Sequence, residues 1–145
     1  MSNSDEFKNF LIEHNLPFTE ETEEEYSAII FTETVENGPK VRIYFAFMNN
    51  DNLVSAYVFD YIELEEDSDR TEVLEHLNKL NLKHTYFKFL IDSYNKIVIT
   101  AHQYFVNNFS TQVTFAFLTS ILRVMKDEYP ELKNIIKPDL QKDSL

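Results

Sequence analysis

Residues 26–48, with the sequence YSAIIFTETVENGPKVRIYFAFM, decide the fold of this chain of 145 residues. The segments Tyr26–Val35 and Val41–Met48 consist mostly of β-branched and aromatic residues, which favour strands. Asn37-Gly38 lies between them, and because Asn and Gly adopt positive φ most readily, this pair predicts a hairpin turn. The stretch therefore predicts two antiparallel strands joined by a short connection.

Three more strands are predicted further along the chain. Leu53–Leu64 forms the third, after the turn Asn49–Asn52, whose side chains can bond to their own backbone. Tyr86–Ile91 and Lys96–Tyr104 form the fourth and fifth, joined by the turn Asp92–Asn95. Because strands joined by short turns pair antiparallel, we expect a five-stranded antiparallel sheet.

A first helix is predicted before the strands. Its apolar stripe has the spacing i, i+3, i+4, i+7, in the residues Phe7, Phe10, Leu11 and His14. Ser4 or Asp5 can cap its start, and Pro17 ends it because the residue before a proline avoids the α region. The acidic run Glu20–Glu25 then predicts a solvated connection.

Two further helices flank the last two strands. Asp69 followed by Glu72 resembles a capping box, and the apolar stripe after it extends to about Leu80. The last helix runs from Ser110 to about Glu128, and Pro130 is expected to end it.

The element order is therefore α-β-β-β-α-β-β-α, which predicts an α+β fold with helices packed mainly on one face of the sheet. Residues 1–137 are long enough for a single domain, and residues 138–145 are expected to form a C-terminal tail.

Side-chain alternation along the strands separates a core face from a second face. The core face is expected to contain Val41, Ile43, Phe45, Phe47, Phe87, Phe89, Ile91, Ile97, Ile99 and Ala101. The second face is rich in tyrosine, and its candidate partner or dimer surface comprises Tyr44, Tyr57, Tyr61, Tyr86, His102 and Tyr104. Tyrosine is enriched where proteins meet, but strands favour it in any case, so a binding face and an ordinary amphipathic face both stay open.

The last helix carries more apolar residues than one stripe requires. They are Val113, Phe115, Ala116, Phe117, Leu118, Ile121, Leu122, Val124 and Met125. Either the helix is buried on two sides within one chain, or one side contacts another chain.

Composition excludes several classes of function. The formal net charge is −12, and the 13 basic residues are scattered among 25 acidic ones, which argues against binding nucleic acid or an anionic membrane. The chain has no cysteine, so disulfides, thiol catalysis and cysteine-based zinc sites are excluded. Its start does not resemble a signal peptide, and we expect a cytoplasmic protein.

No catalytic, cofactor or metal motif is found. The single glycine cannot form a phosphate-binding loop, and no G-x-S-x-G sequence is present. The histidines have no zinc-ligand spacing, and the acidic run near Glu65 lacks the order of a calcium loop. We therefore expect no catalytic residues, no cofactor and no metal, and hence a protein that is not an enzyme.

Several local patterns resemble the YbjN family of bacterial sensory transduction regulators, whose fold is similar to that of type III secretion chaperones. The resemblance covers roughly residues 7–129. It rests on three groups of residues. The first is Phe7-x-x-Phe10-Leu11 followed by Asn15-Leu16-Pro17-Phe18, the second is Leu77-Asn78-x-Leu80-Asn81, and the third is Phe87-x-Phe89 followed by Ile97-x-Ile99. It implies a bacterial protein-interaction or regulatory module, often dimeric, that binds a protein partner or itself. The alternative is a small-ligand-binding regulator with a pocket between sheet and helices.

Overall fold

The computed structural model describes residues 2–48, 52–106 and 108–136. Three helices are present in these residues: α1 (Asn3–Glu13), α2 (Arg70–Lys83) and α3 (Thr111–Ile136). The strands are β1 (Thr19–Thr22), β2 (Tyr26–Thr34), β3 (Lys40–Met48), β4 (Leu53–Glu63), β5 (Lys88–Ile91) and β6 (Lys96–Tyr104). The predicted α+β class is confirmed, with one strand more than expected. The predicted tail, residues 138–145, lies outside the described residues, as do residues 49–51 of the predicted turn.

The six strands form one antiparallel sheet in the order β1-β2-β3-β4-β6-β5. Consecutive strands pair as far as β4, after which α2 connects β4 to the edge strand β5. The β5–β6 hairpin then returns the chain, so β6 pairs with β4 and separates β5 from it. This connection leaves β5 with a partner on one side only.

The additional strand, β1, lies in the segment that we expected to be a solvated connection. Thr19–Thr22 pairs with residues 27–30 of β2, and all four of its residues are exposed. Charged, exposed residues give no alternating pattern, so the sequence contains no hydrophobic signal for this strand. The connection is indeed solvated, but its first part is an edge strand.

The first hairpin turns at Asn37, as expected, but Gly38 has a different role from the one predicted. Asn37 has φ 57°, whereas Gly38 does not have positive φ. The Gly38 N–H donates to the carbonyl of Val35 and closes the turn. A Cβ on Gly38 would lie 2.7 Å from two ring carbons of Tyr129, so glycine is required here by space.

Helix α1 is capped two or three residues earlier than predicted. Ser2, not Ser4 or Asp5, is the N-cap, and its hydroxyl accepts from the Asp5 N–H. At the other end Asn15 adopts φ 56°, and the Leu16 N–H donates to the Leu11 carbonyl. This left-handed residue ends the helix before Pro17.

Helix α2 begins at its predicted cap and ends later than predicted. The carboxylate of Asp69 accepts from the Glu72 N–H, as the capping pattern indicated. The helix continues past Leu80 to Lys83.

Helix α3 continues through Pro130 to Ile136, and the prediction that this proline ends it is wrong. Leu132 and Ile136, both beyond the proline, are buried in the core. Their burial holds the last helical turns in place despite the hydrogen bond that proline cannot make.

All three helices pack on one face of the sheet, where they form a single hydrophobic core. Phe7 of α1 contacts Phe45 of β3 at 6.0 Å, and Phe117 of α3 contacts Phe45 at 6.1 Å and Phe87 at 5.6 Å between ring centroids. The predicted core face is confirmed, with Ile91 only partly buried. None of the described helices is long and apolar enough to cross a membrane.

Candidate functional site

The face of the sheet opposite α1, α2 and α3 carries a band of aromatic rings across β3, β4 and β6. Tyr44 pairs with Tyr57 in the β3–β4 register, and Tyr57 pairs with Thr100 in the β4–β6 register. The rings of Tyr57 and His102 lie 6.0 Å apart, and Phe59 lies 5.3 Å from Tyr44 and 5.8 Å from Tyr57. Phe59 belongs to the band although the sequence analysis did not select it; its place two residues after Tyr57 was the available signal.

Polar contacts stabilise one end of this band. The Arg42 guanidinium donates to the Asp60 carboxylate at 2.6 Å and to the Tyr44 hydroxyl at 3.1 Å, and it lies over the Tyr44 ring. The hydrogen bond with Asp60 raises the pKa of Arg42, and desolvation raises the pKa of Tyr44. Tyr44 and Tyr57 are therefore already engaged by neighbours within the sheet.

Tyr61 does not belong to this face, and its prediction as a partner-surface residue is wrong. A β-bulge interrupts the β4–β6 register between Val58 and Ile62, and Asp60 adopts φ 64° there. The bulge turns Tyr61 towards the helices, where it is 3% exposed and its hydroxyl donates to the Met125 carbonyl at 2.6 Å. Burial raises the pKa of Tyr61.

The remaining three candidates lie together at the other end of the band. Tyr86 and Tyr104 are 75% and 73% exposed, and both line a groove with His102. The groove has a volume of about 620 Å³ and lies between β6, the segment before β5, and the N-terminal half of α3. The structure thus separates the six candidates into a packed pair, a buried tyrosine and an exposed cluster.

The open edge of β6 forms one wall of this groove. Strand β5 pairs with β6 only as far as Thr100, and in the described chain no strand pairs with the rest of that edge. The Phe105 N–H donates to the Asn52 carbonyl on the β4 side. Because backbone groups of alternate residues point to the same side of a strand, those of His102 and Tyr104 point away from β4. Their N–H and C=O groups are free to pair with another strand.

The two outer edges of the sheet are protected in ways that this stretch of β6 is not. The Asn81 side chain of α2 accepts from the Phe89 N–H at 2.6 Å and donates to the Phe89 carbonyl at 3.1 Å, which covers the edge of β5. The β1 edge is only four residues long and carries Glu20 and Glu21. Short length, charge and covering side chains are the usual protections against unwanted strand pairing.

The other wall of the groove is formed by α3. Phe117 stacks on Phe87, and Val113, which is 47% exposed, lies beside Ala116. The excess of apolar residues on α3 is thus divided: Leu118, Ile121, Val124 and Met125 are buried, and Val113 and Ala116 are exposed at the groove.

The charge that the groove presents is opposite in sign to the net charge of the molecule. Arg123 and His102 line the groove, and none of its described lining residues carries a carboxylate, although the chain has a net charge of −12. The side-chain oxygen of Gln103, which also lines the groove, is buried and has no hydrogen-bond partner in the described part of the chain. The groove therefore offers an unused acceptor and a cation beside apolar walls.

The sequence matches no protein-family model, and no curated protein shows significant similarity to it.

Proposed function

We propose that this protein is a non-enzymatic interaction module that binds an extended segment of a partner protein in the groove beside β6. The observation that carries the proposal is the unpaired backbone of His102 and Tyr104, which lies next to exposed apolar side chains. In strand addition, main-chain hydrogen bonds provide affinity and pockets for alternate side chains provide specificity. The open edge of β6 offers the main-chain hydrogen bonds, and the walls formed by Val113 and Phe117 offer the pockets for side chains.

The chemistry of the groove defines the bound segment. Alternate apolar side chains would pack between Phe117 and Val113 on one side, while the backbone pairs with β6. A donor group would satisfy the Gln103 oxygen, and a carboxylate would pair with Arg123, the only Lys or Arg among the described residues that line the groove. The expected ligand is an extended, apolar segment with an acidic residue.

The bound segment belongs to a different chain in this proposal. Two copies, each with a net charge of −12, repel each other, whereas a neutral or basic partner is not repelled. The resemblance to the YbjN family, which remains a prediction, implies the same class of function. Homodimerisation through the groove is the competing outcome that the experiment must distinguish.

Peptide display provides the test. A random peptide library is selected on the immobilised full chain, and the affinities of the enriched peptides are measured by fluorescence anisotropy. Tyr104→Ala and Arg123→Glu are each expected to weaken binding at least about tenfold, because they remove an exposed aromatic contact and the groove's cation. Hydrogen exchange should show new protection at the amides of His102 and Tyr104 when peptide is bound.

Tyr94→Ala is the matched control, because Tyr94 is 76% exposed but lies in the β5–β6 turn, outside the groove. It should leave peptide affinity unchanged. Failure to enrich any peptide, or binding that all three variants leave intact, would refute the proposal. A dimer in light scattering that Tyr104→Ala dissociates would replace the partner segment with a second copy.

A small-molecule ligand is the second candidate, and the volume of the groove favours it. About 620 Å³ lies within the range of small-molecule sites, roughly 300–1,000 Å³. A metabolite library screened by thermal shift tests this function, since a ligand that binds the native state raises the unfolding temperature. A shift that Tyr104→Ala abolishes would support it, and no shift across the library would count against it.

A further inference from the structure

A histidine and two glutamates meet between α2 and α3, away from the groove. One nitrogen of His76, one carboxylate oxygen of Glu128 and one of Glu131 all lie within 4.8 Å of one another. His76 comes from α2, and the two glutamates are three positions apart (i, i+3) on α3, so they project from the same side of that helix. Three potential metal ligands are thus supplied by two rigid elements.

Glu128 is an unusual residue in this position, because it is 5% exposed. Lys83 Nζ lies 2.6 Å and His84 Nε2 lies 3.3 Å from the same oxygen, Oε1. These two contacts with the C-terminal end of α2 fix the orientation of the carboxylate.

His76 provides the second, independent observation. Its Nε2 atom is buried and has no hydrogen-bond partner among the described residues. A buried polar atom without a partner is destabilising, so a native structure seldom keeps one without a reason. A neutral imidazole nitrogen is the commonest protein ligand for metal ions, and a metal bond would satisfy it.

We propose that His76, Glu128 and Glu131 form a Zn²⁺ site that joins α2 to α3. Imidazole and carboxylate ligands together suit zinc, whereas Mg²⁺ and Ca²⁺ prefer oxygen ligands alone. Ligand atoms around a tetrahedral zinc lie roughly 3.4 Å apart, given metal–ligand bonds of about 2.0–2.1 Å. The three ligand atoms lie within 4.8 Å of one another, and Glu131 is exposed, so its side chain can rotate towards the other two, with water in the fourth position.

This site is independent of peptide binding, and no pattern in the sequence predicts it. His76 and Glu128 are far apart along the chain, and no motif relates them. Only the packing of α2 on α3 brings them together. The expected consequence of zinc binding is a stabilised helix pair, because a ligand that binds only the folded state raises its stability.

Zinc titration of the full chain, free of any histidine tag and treated with a chelator, tests the proposal. Calorimetry should show one Zn²⁺ bound per chain, and the unfolding temperature should rise with zinc but not with Mg²⁺. His76→Gln and Glu131→Gln should each weaken zinc binding at least about tenfold. Co²⁺ should give the visible absorption of a four-coordinate site in the native chain and lose it in both variants.

Glu75→Gln is the matched control, because Glu75 is an exposed glutamate next to His76 on the same helix. It removes the same charge and should leave zinc affinity unchanged. Glu131→Gln keeps the test decisive if His76→Gln fails to fold, since Glu131 is exposed. Absence of zinc binding, or binding that Glu131→Gln and Glu75→Gln affect equally, would overturn the proposal.

Discussion

Gly38 lies against the ring of Tyr129, and this contact connects the first hairpin to α3. A Cβ at this position would lie 2.7 Å from the ring carbons Cε1 and Cζ of Tyr129, which is closer than carbon atoms pack. Because Tyr129 is 6% exposed, its ring has little room to move. We expect Gly38→Ala to lower the free energy of unfolding by about 1–3 kcal/mol, measured by urea denaturation.

The control for this prediction is the same substitution in a Tyr129→Leu background. Leucine lacks the ring atoms that meet the new methyl group, so Gly38→Ala should cost less there. An equal cost in both backgrounds would show that backbone conformation, and not the ring, requires glycine at this position.

Single residues are also where prediction from sequence failed. Side-chain alternation correctly placed Tyr44, Tyr57 and His102 on the face opposite the three described helices, because β3 and the first part of β4 are regular. Alternation misplaced Tyr61, because the bulge at Asp60 inserts an extra residue that the hydrophobic pattern does not predict. The zinc ligands and the open edge of β6 depend on tertiary packing and could not be predicted from local pattern.

Helix α3 contains a destabilising residue, and this allows a prediction about a whole element. Pro130 lies inside the helix and is exposed, where it cannot donate to the carbonyl of Lys126. Replacing a helix-interior proline by alanine stabilises the helix by up to about 3 kcal/mol. The gain in the free energy of unfolding is smaller by about 0.4–1 kcal/mol, because the unfolded chain without the proline has more conformational entropy. We expect Pro130→Ala to raise the free energy of unfolding by roughly 1–2 kcal/mol.

Asp127→Ala serves as the control for this substitution, since Asp127 is exposed on the same helix. It should change the free energy of unfolding by less than about 0.5 kcal/mol. A neutral or destabilising effect of Pro130→Ala would mean that the helix has adapted its packing to the proline ring.

Elements with a strong hydrophobic pattern were predicted well, and those without it were not. The core strands β2, β3, β4 and β6 and the helix starts at Asp69 and near Ser110 follow from periodicity and capping. Strand β1 has only exposed residues, so its pairing with β2 is decided by the neighbouring strand. The end of α3 is decided by the burial of Leu132 and Ile136, which outweighs the local effect of Pro130.

At the scale of the whole molecule, the net charge of −12 opposes the compact state, and ion pairs between elements support it. Lys8–Glu20 joins α1 to β1, Lys126–Glu33 joins α3 to β2, and Lys83–Glu128 joins α2 to α3. The first two pairs are substantially exposed, and exposed pairs contribute only about 0–1 kcal/mol each. The balance between general repulsion and these pairs therefore determines how salt affects stability.

The 13 basic residues do not balance the 25 acidic ones, so we expect repulsion to dominate. Raising NaCl from about 20 to about 300 mM should therefore increase the urea midpoint of unfolding. Salt screens repulsion among exposed carboxylates over distances of about 10 Å, whereas close pairs are screened less. Glu25→Lys, at an exposed position in the acidic run, reduces the net charge by two and should weaken the response to salt. A midpoint that falls with added NaCl would instead show that the ion pairs between helices and strands contribute more to stability than the repulsion removes.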